Sequence, residues 1–137
     1  MSSISRCEII ALVILLCSGF TTQPDCSRVK NGTFYFYPQS GGGPFRLVRK
    51  DSTQYEIDMK TNDTSVWKVS WVQDCVMTAR FVSTTKNMSD NFLRNVTTHK
   101  PFQTVEQIGV KFYLIKMTMD SINSAKFIED TVWFRPK

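Results

Sequence analysis

Histidine is nearly absent from this chain. His99 is the only one, which removes most metal-centre and imidazole-catalysis readings, because a catalytic base needs an orienting partner and a nucleophile. There is no Cys-x-x-Cys spacing for zinc and no Gly-x-Ser-x-Gly elbow for a hydrolase. No lysine follows Gly41-Gly42-Gly43 to make a phosphate loop of them. Heptads, internal repeats and low-complexity tracts are also missing, which excludes coiled coils and solenoids. Two carboxylate pairs remain. Glu56 and Asp58 alternate along what reads as the polar side of a strand, and Glu129 and Asp130 point to opposite faces, so neither pair suggests acid–base work on a sugar. No catalytic residue, metal or cofactor is expected, and the chain reads as a non-enzyme.

Long apolar runs are scarce too. The longest runs from Ile9 to Leu16, preceded by Arg6 and followed by the small or compact residues Cys17, Ser18 and Gly19. That order is a secretory signal peptide over residues 1–19. The run is too short for a stable membrane span, which needs about 20 apolar residues. Leu16 before Cys17 and Asp25 before Cys26 exclude a lipid-acceptor cysteine. Residues 20–137 then form one extracytoplasmic domain, secreted or periplasmic, with room for a single core.

Of four cysteines, Cys7 and Cys17 leave with the signal, and Cys26 and Cys75 remain. Two cysteines in an oxidising compartment predict one disulfide. The net charge of +5 belongs to that domain, since Arg6 and Glu8 cancel. Its lysines and arginines are scattered, which reads as solubility, with anionic head groups near Arg46, Lys68 and Arg80 as the charged alternative.

Period-two alternation of aromatic and β-branched residues recurs along the domain and predicts an all-β fold. Strands are expected over 28–37, 45–50, 55–59, 66–72, 75–83, 110–119 and 126–134. In the third, Tyr55, Ile57 and Met59 are expected on the apolar side, after an Asp51-Ser52-Thr53 turn. Residues 84–107 are polar and irregular, with a short helical turn around Ser89–Arg94 and extended chain near Thr104–Ile108. Short turns between consecutive strands favour an antiparallel meander, closed or half-closed into a barrel so that no edge is left open. A flat sandwich is the alternative.

The strand aromatics carry the functional expectation. A barrel of about eight strands leaves room for one small ligand, and Phe36, Tyr55, Trp67, Trp71, Phe112 and Trp133 are the candidate lining, beside a void of at least about 300 Å³. The leading reading is a secreted, monomeric binding module for a small apolar or amphipathic ligand. The alternative is a structural or protein-interaction domain whose interior is filled. Basic residues among aromatics also suit a single-strand nucleic-acid barrel, but export argues against that partner. Four Asn-x-Ser/Thr triplets begin at Asn31, Asn62, Asn87 and Asn95; in a eukaryotic host these are glycan acceptors on surface loops.

The first half of the domain resembles a family of small secreted bacterial proteins of unknown function. The matching residues are Cys26, the run Val29-Lys30-Asn31-Gly32-Thr33-Phe34, Arg49 with Gln54-Tyr55-Glu56, and Val69-Ser70-Trp71 leading into Asp74-Cys75. The Gly-x-aromatic opening of the first strand is similar to that of lipocalin-type, or calycin-type, barrels, with Phe34 where lipocalins carry tryptophan. The resemblance implies a lipocalin-like barrel and supplies no catalytic residue.

Overall fold

The computed structural model describes residues 23–137, so the expected signal segment lies outside the described residues. Eight strands form an antiparallel meander closed into a barrel, in the order β1 to β8 around its wall. They are β1 (Gly32–Phe36), β2 (Phe45–Lys50), β3 (Thr53–Asp58), β4 (Thr64–Gln73), β5 (Val76–Thr84), β6 (Pro101–Ile108), β7 (Phe112–Met119) and β8 (Phe127–Trp133). Two short helices accompany them, α1 (Ser27–Lys30) and α2 (Asp90–Thr98). The all-β meander closed into a barrel, expected from the alternation and the short turns, is therefore the fold, and its architecture matches the lipocalin-like barrel that the resemblance implies.

Two departures from the expected elements have local causes. Residues 28–30 belong to α1 rather than to the first strand, because Asp25 accepts the Ser27 N–H and the chain then coils once, Val29 N donating to Cys26 O. The polar stretch after β5 holds a full helix, α2, opened by Ser89, whose hydroxyl accepts from Phe92 N. β6 starts at Pro101, several residues earlier than expected, paired with Met119 of β7.

Closure is uneven around the wall. β1 meets β8 through only two residue pairs, Tyr35–Trp133 and Phe36–Val132. β5 meets β6 through three, from Val76–Thr104 to Thr78–Phe102. Beyond Thr78 these two strands part, and α2 spans the connection between them. Thr78 Oγ1 donating to Pro101 O at 2.8 Å holds the point of divergence.

One end of the barrel is closed and tightly filled. Cys26, Val29, Phe34, Leu47, Cys75, Val105, Tyr113, Ile115 and Val132 form its core, with Trp71, Ile108 and Phe134 packed on it. α1 lies across this end as a plug, with Cys26 and Val29 fully buried. The expected disulfide joins Cys26 to Cys75, with Cα atoms 5.4 Å apart, and so ties the plug to the start of β5. Gly32, with φ +137°, lets β1 enter the wall. A Cβ there would be strained, and it would sit 3.2 Å from the Phe34 ring that anchors the plug.

Arg49 lies at the centre of this end and is only 2 % exposed. Its Nε and Nη2 donate to Gln54 Oε1 at 2.9 and 2.7 Å, and its Nη1 donates to Val29 O on the plug. The guanidinium also faces the rings of Phe34 and Trp71, 5.2 and 5.8 Å from their centroids. The exposed Lys30–Asp74 pair at 3.0 Å adds little.

The disulfide closes a loop of 49 residues, and on the chain-entropy account its loss costs about 4 kcal/mol. The double variant Cys26→Ala/Cys75→Ala should lose about that much unfolding free energy in urea titrations. A loss under about 1 kcal/mol would mean that the plug is held without it.

Candidate functional site

Strand register decides which side chains enter the barrel. β2 and β3 are joined across the two-residue turn Asp51-Ser52, with Lys50 opposite Thr53. Leu47 therefore faces Glu56, Arg49 faces Gln54 and Phe45 faces Asp58. Since Phe45, Leu47 and Arg49 point inward, Gln54, Glu56 and Asp58 do so as well. This reverses the expected orientation of β3. Tyr55 pairs with Val48 and Val66 on the outer wall and is 41 % exposed, so it does not line the interior.

Two more candidates face outward. Phe112 and Trp133 are paired across β7 and β8 and touch ring to ring on the outside, centroids 5.3 Å apart. Tyr35 adjoins Trp133 across the β1–β8 seam, and Lys137 lies 4.5 Å above the Trp133 ring. The inward positions on β7 and β8 belong instead to Tyr113, Ile115 and Val132, all buried.

The remaining three candidates, Phe36, Trp67 and Trp71, face inward but into different surroundings. Phe36 and Trp71 pack on the filled end. Trp71 is held there between Arg49 and Lys30, so its truncation would damage the fold. Trp67 lies in the other half of the barrel, ring to ring with Phe81 at 5.3 Å.

That other half is hollow. A cavity of about 210 Å³ is lined by Gln54, Glu56 and Trp67 on one side, and by Met77, Ala79, Pro101, Phe102, Gln103 and Met117 on the other. It is smaller than the expected 300 Å³ and has the volume of about seven liquid waters at ~30 Å³ each. A larger groove of about 780 Å³ lies at the open end. It shares Pro101 and Met117 with the cavity and continues over Met119, Phe127 and Ile128. The interior thus passes from a polar-headed cavity to an apolar lip.

The electrostatics of the cavity centre on Glu56. Burial pushes its carboxyl above the ordinary 4.5, and no hydrogen bond or positive charge acts against that rise. The neighbouring inward polar groups are engaged elsewhere. Gln54 is taken by Arg49. Asp58 accepts from Lys60 N and Thr61 N at 2.8 and 3.3 Å, the Lys60 bond first among the causes that hold its carboxyl below the usual value. Asp130 accepts from Gln39 N and Thr131 N. Among the described residues, the buried N–H or O–H groups without a partner are Trp67 Nε1, Trp71 Nε1 and Tyr113 OH. Burial pushes the Tyr113 phenol up; Arg49 is near enough to offset part of this electrostatically, although the two lack ordinary hydrogen-bond geometry.

His99 has a partner that the sequence alone did not reveal. Its Nδ1 lies 2.6 Å from Asp120 Oδ2, while Asp120 Oδ1 accepts from Lys100 N. The pair clasps the end of α2 to the β7–β8 turn at the lip. Asp120 is held below its ordinary value first by the Lys100 N–H and then by His99. No hydroxyl completes a nucleophile–base pair on this ring among the described residues.

All four Asn-x-Ser/Thr asparagines are exposed. Asn31 Oδ1 accepts from Asp51 N at 2.7 Å, which leaves its Nδ2 outward. Among the described residues no helix is long and apolar enough to cross a membrane, and no three His, Cys, Asp or Glu residues could hold a metal together. No family model matches the chain, and neither does any curated protein.

Glu56 should leave a signature in the pH dependence of stability. A carboxyl whose folded pKa is raised binds its proton more tightly when folded, so stability falls as pH rises from about 4.5 through the raised value. Glu56→Gln should abolish that fall. The variant should match the parent near pH 4 and exceed it at pH 7, where only the parent carries a desolvated charge at this position. Below the ordinary value of 3.8, loss of ionised Asp58 and Asp120 should destabilise both proteins alike. Thermal unfolding across pH 3–8 checks this, and a parent-like slope in the variant would contradict it.

Proposed function

We propose that this is a secreted, monomeric binding module that holds one small amphipathic molecule in the hollow half of its barrel. The observation that carries the reading is the cavity itself. One half of the interior is filled by a cluster of buried side chains and plugged, whereas the other keeps a void lined by Trp67, Met77 and Met117 with a few convergent polar groups. Concave, mostly apolar sites with sparse polar groups are how proteins bind small ligands. The void admits a compact group and not a whole lipid chain. A longer apolar body would run out past Pro101 and Met117 onto the lip formed by Met119, Phe127 and Ile128. Those lip residues include some of the most exposed large apolar side chains in the domain, so a ligand body would cover surface that is otherwise wet.

A second reading rests on the outer wall. Phe112 and Trp133, with Tyr35 beside them, offer an aromatic face of the kind enriched at protein interfaces. It requires no cavity. Filling the void therefore separates the two readings, and Ala79 is the position for it, being the smallest side chain on the lining.

Binding of small aromatic or amphipathic probes should change tryptophan fluorescence saturably in the parent protein. Ala79→Leu should weaken that binding at least tenfold while leaving the thermal midpoint within a few degrees. Equal affinity in the filled variant would remove the interior as the site and leave the outer aromatic face standing.

A further inference from the structure

We infer that the hollow half of the barrel selects a small protonated amine, with the Glu56 carboxylate as its counter-charge; this deepens the carrier reading and rests on it.

The inference starts from what the interior leaves unpaired. Three polar side chains of β3 point into the barrel, and two of them are committed. Gln54 accepts two N–H groups of Arg49. Asp58 caps the turn through Lys60 N and Thr61 N. Glu56 lies between them, lines the cavity half-buried, and has no hydrogen bond or cation to compensate the water it loses. Buried carboxylates are ordinarily paired, because removing the charge from water is costly. Arg49 is the cation on the inward face of the hairpin, since Arg46, opposite Ile57, is on the outer face; yet the donors of Arg49 are spent on Gln54 and the plug. The protein therefore does not satisfy Glu56 from within.

The walls around this carboxyl fit an organic cation better than a metal. Trp67 brings an aromatic ring, on which a cation is favourably placed, and Met77 and Met117 supply polarizable apolar surface. The Gln103 amide oxygen adds one acceptor for an ammonium N–H. A divalent metal would require several oxygen ligands in one shell, and only one carboxylate lines the void. An anionic ligand such as a fatty acid would bring a second negative charge against Glu56. The chain's net charge of +5 opposes entry of a cation only at long range, where salt screens it.

The test uses three probes of similar aromatic or apolar body: 2-phenylethylamine, its neutral counterpart 2-phenylethanol, and octanoate. Each is titrated at pH 7 into the full chain by calorimetry, with tryptophan fluorescence alongside. The amine should bind at least tenfold more tightly than the alcohol, and octanoate most weakly. Glu56→Gln should lose at least tenfold in affinity for the amine and keep its affinity for the alcohol. Glu56→Asp, which keeps the charge on a shorter arm, should retain part of the preference and guards against a fold defect in the glutamine variant. If the alcohol binds as well as the amine, or Glu56→Gln leaves amine affinity unchanged, the counter-charge assignment is overturned and the carrier reading survives. If no probe binds in any variant, both are overturned and water is the occupant of the void.

Discussion

A single buried guanidinium holds the closed end of this barrel together. Among the described residues Arg49 has no carboxylate partner; its charge is met by an amide oxygen, a backbone carbonyl and two aromatic faces. Each of these comes from a different part of the chain: Gln54 from β3, Val29 from the plug, Phe34 from β1 and Trp71 from β4. The guanidinium is rigid and planar and cannot lose its proton, which makes it suited to joining several elements at fixed angles. Its partners must stay in register for its hydrogen bonds to form. The disulfide then secures the same plug covalently to β5.

The asymmetry of the interior follows from that arrangement. Most of the buried aromatic and aliphatic side chains are gathered around Arg49, and in the opposite half Trp67 and Phe102 share the cavity wall with shorter, polar or flexible ones: Ala79, Gln103, Met77 and Met117. The two weak seams, between β1 and β8 and between β5 and β6, have only two and three residue pairs. Where β5 parts from β6, the wall of the hollow half is completed by Pro101, Phe102 and Gln103 at the start of β6. Because Gln54 is drawn toward Arg49, Glu56 is left facing the void alone. The stabilising cluster at one end and the unpaired carboxyl at the other are thus two consequences of one hairpin.

Much of the architecture was legible in alternation alone. The inward faces of β1, β4 and β5 followed from Phe34 and Phe36, from Trp67, Val69 and Trp71, and from Met77 and Ala79, because period-two patterns are strong where one face is a core. The pairing of Cys26 with Cys75 followed from their being the only two expected in the domain. β3 was misread by a single residue. A three-residue turn at Asp51-Ser52-Thr53 would set Leu47 opposite Ile57 and turn Tyr55 inward, whereas the two-residue turn sets Leu47 opposite Glu56. A one-residue slip exchanges every side chain between faces. The apolar look of Tyr55, Ile57 and Met59 concealed a strand whose polar side is the interior one. Phe112 and Trp133 failed for another reason: β7 and β8 carry apolar residues on both faces, so alternation could not choose between Phe112 and Tyr113. The clue that was present is the hairpin itself, since Arg49 and Gln54 fall opposite each other only across the shorter turn.

The central claim is that Arg49 joins the plug to the wall. Arg49→Met keeps the apolar stem of the side chain but is shorter, and it removes the planar guanidinium with its donors and charge. Its unfolding free energy should fall by about 3 kcal/mol, because Gln54 Oε1 and Val29 O are left buried without donors. Amide hydrogen exchange read residue by residue is the most direct measurement of how that loss is distributed. Protection should drop first and most at Val29 and along β1 and β2, with the β4–β5 hairpin retaining protection close to the new global stability. Stability within about 0.5 kcal/mol of the parent, with protection at Val29 and β1 unchanged, would contradict the account.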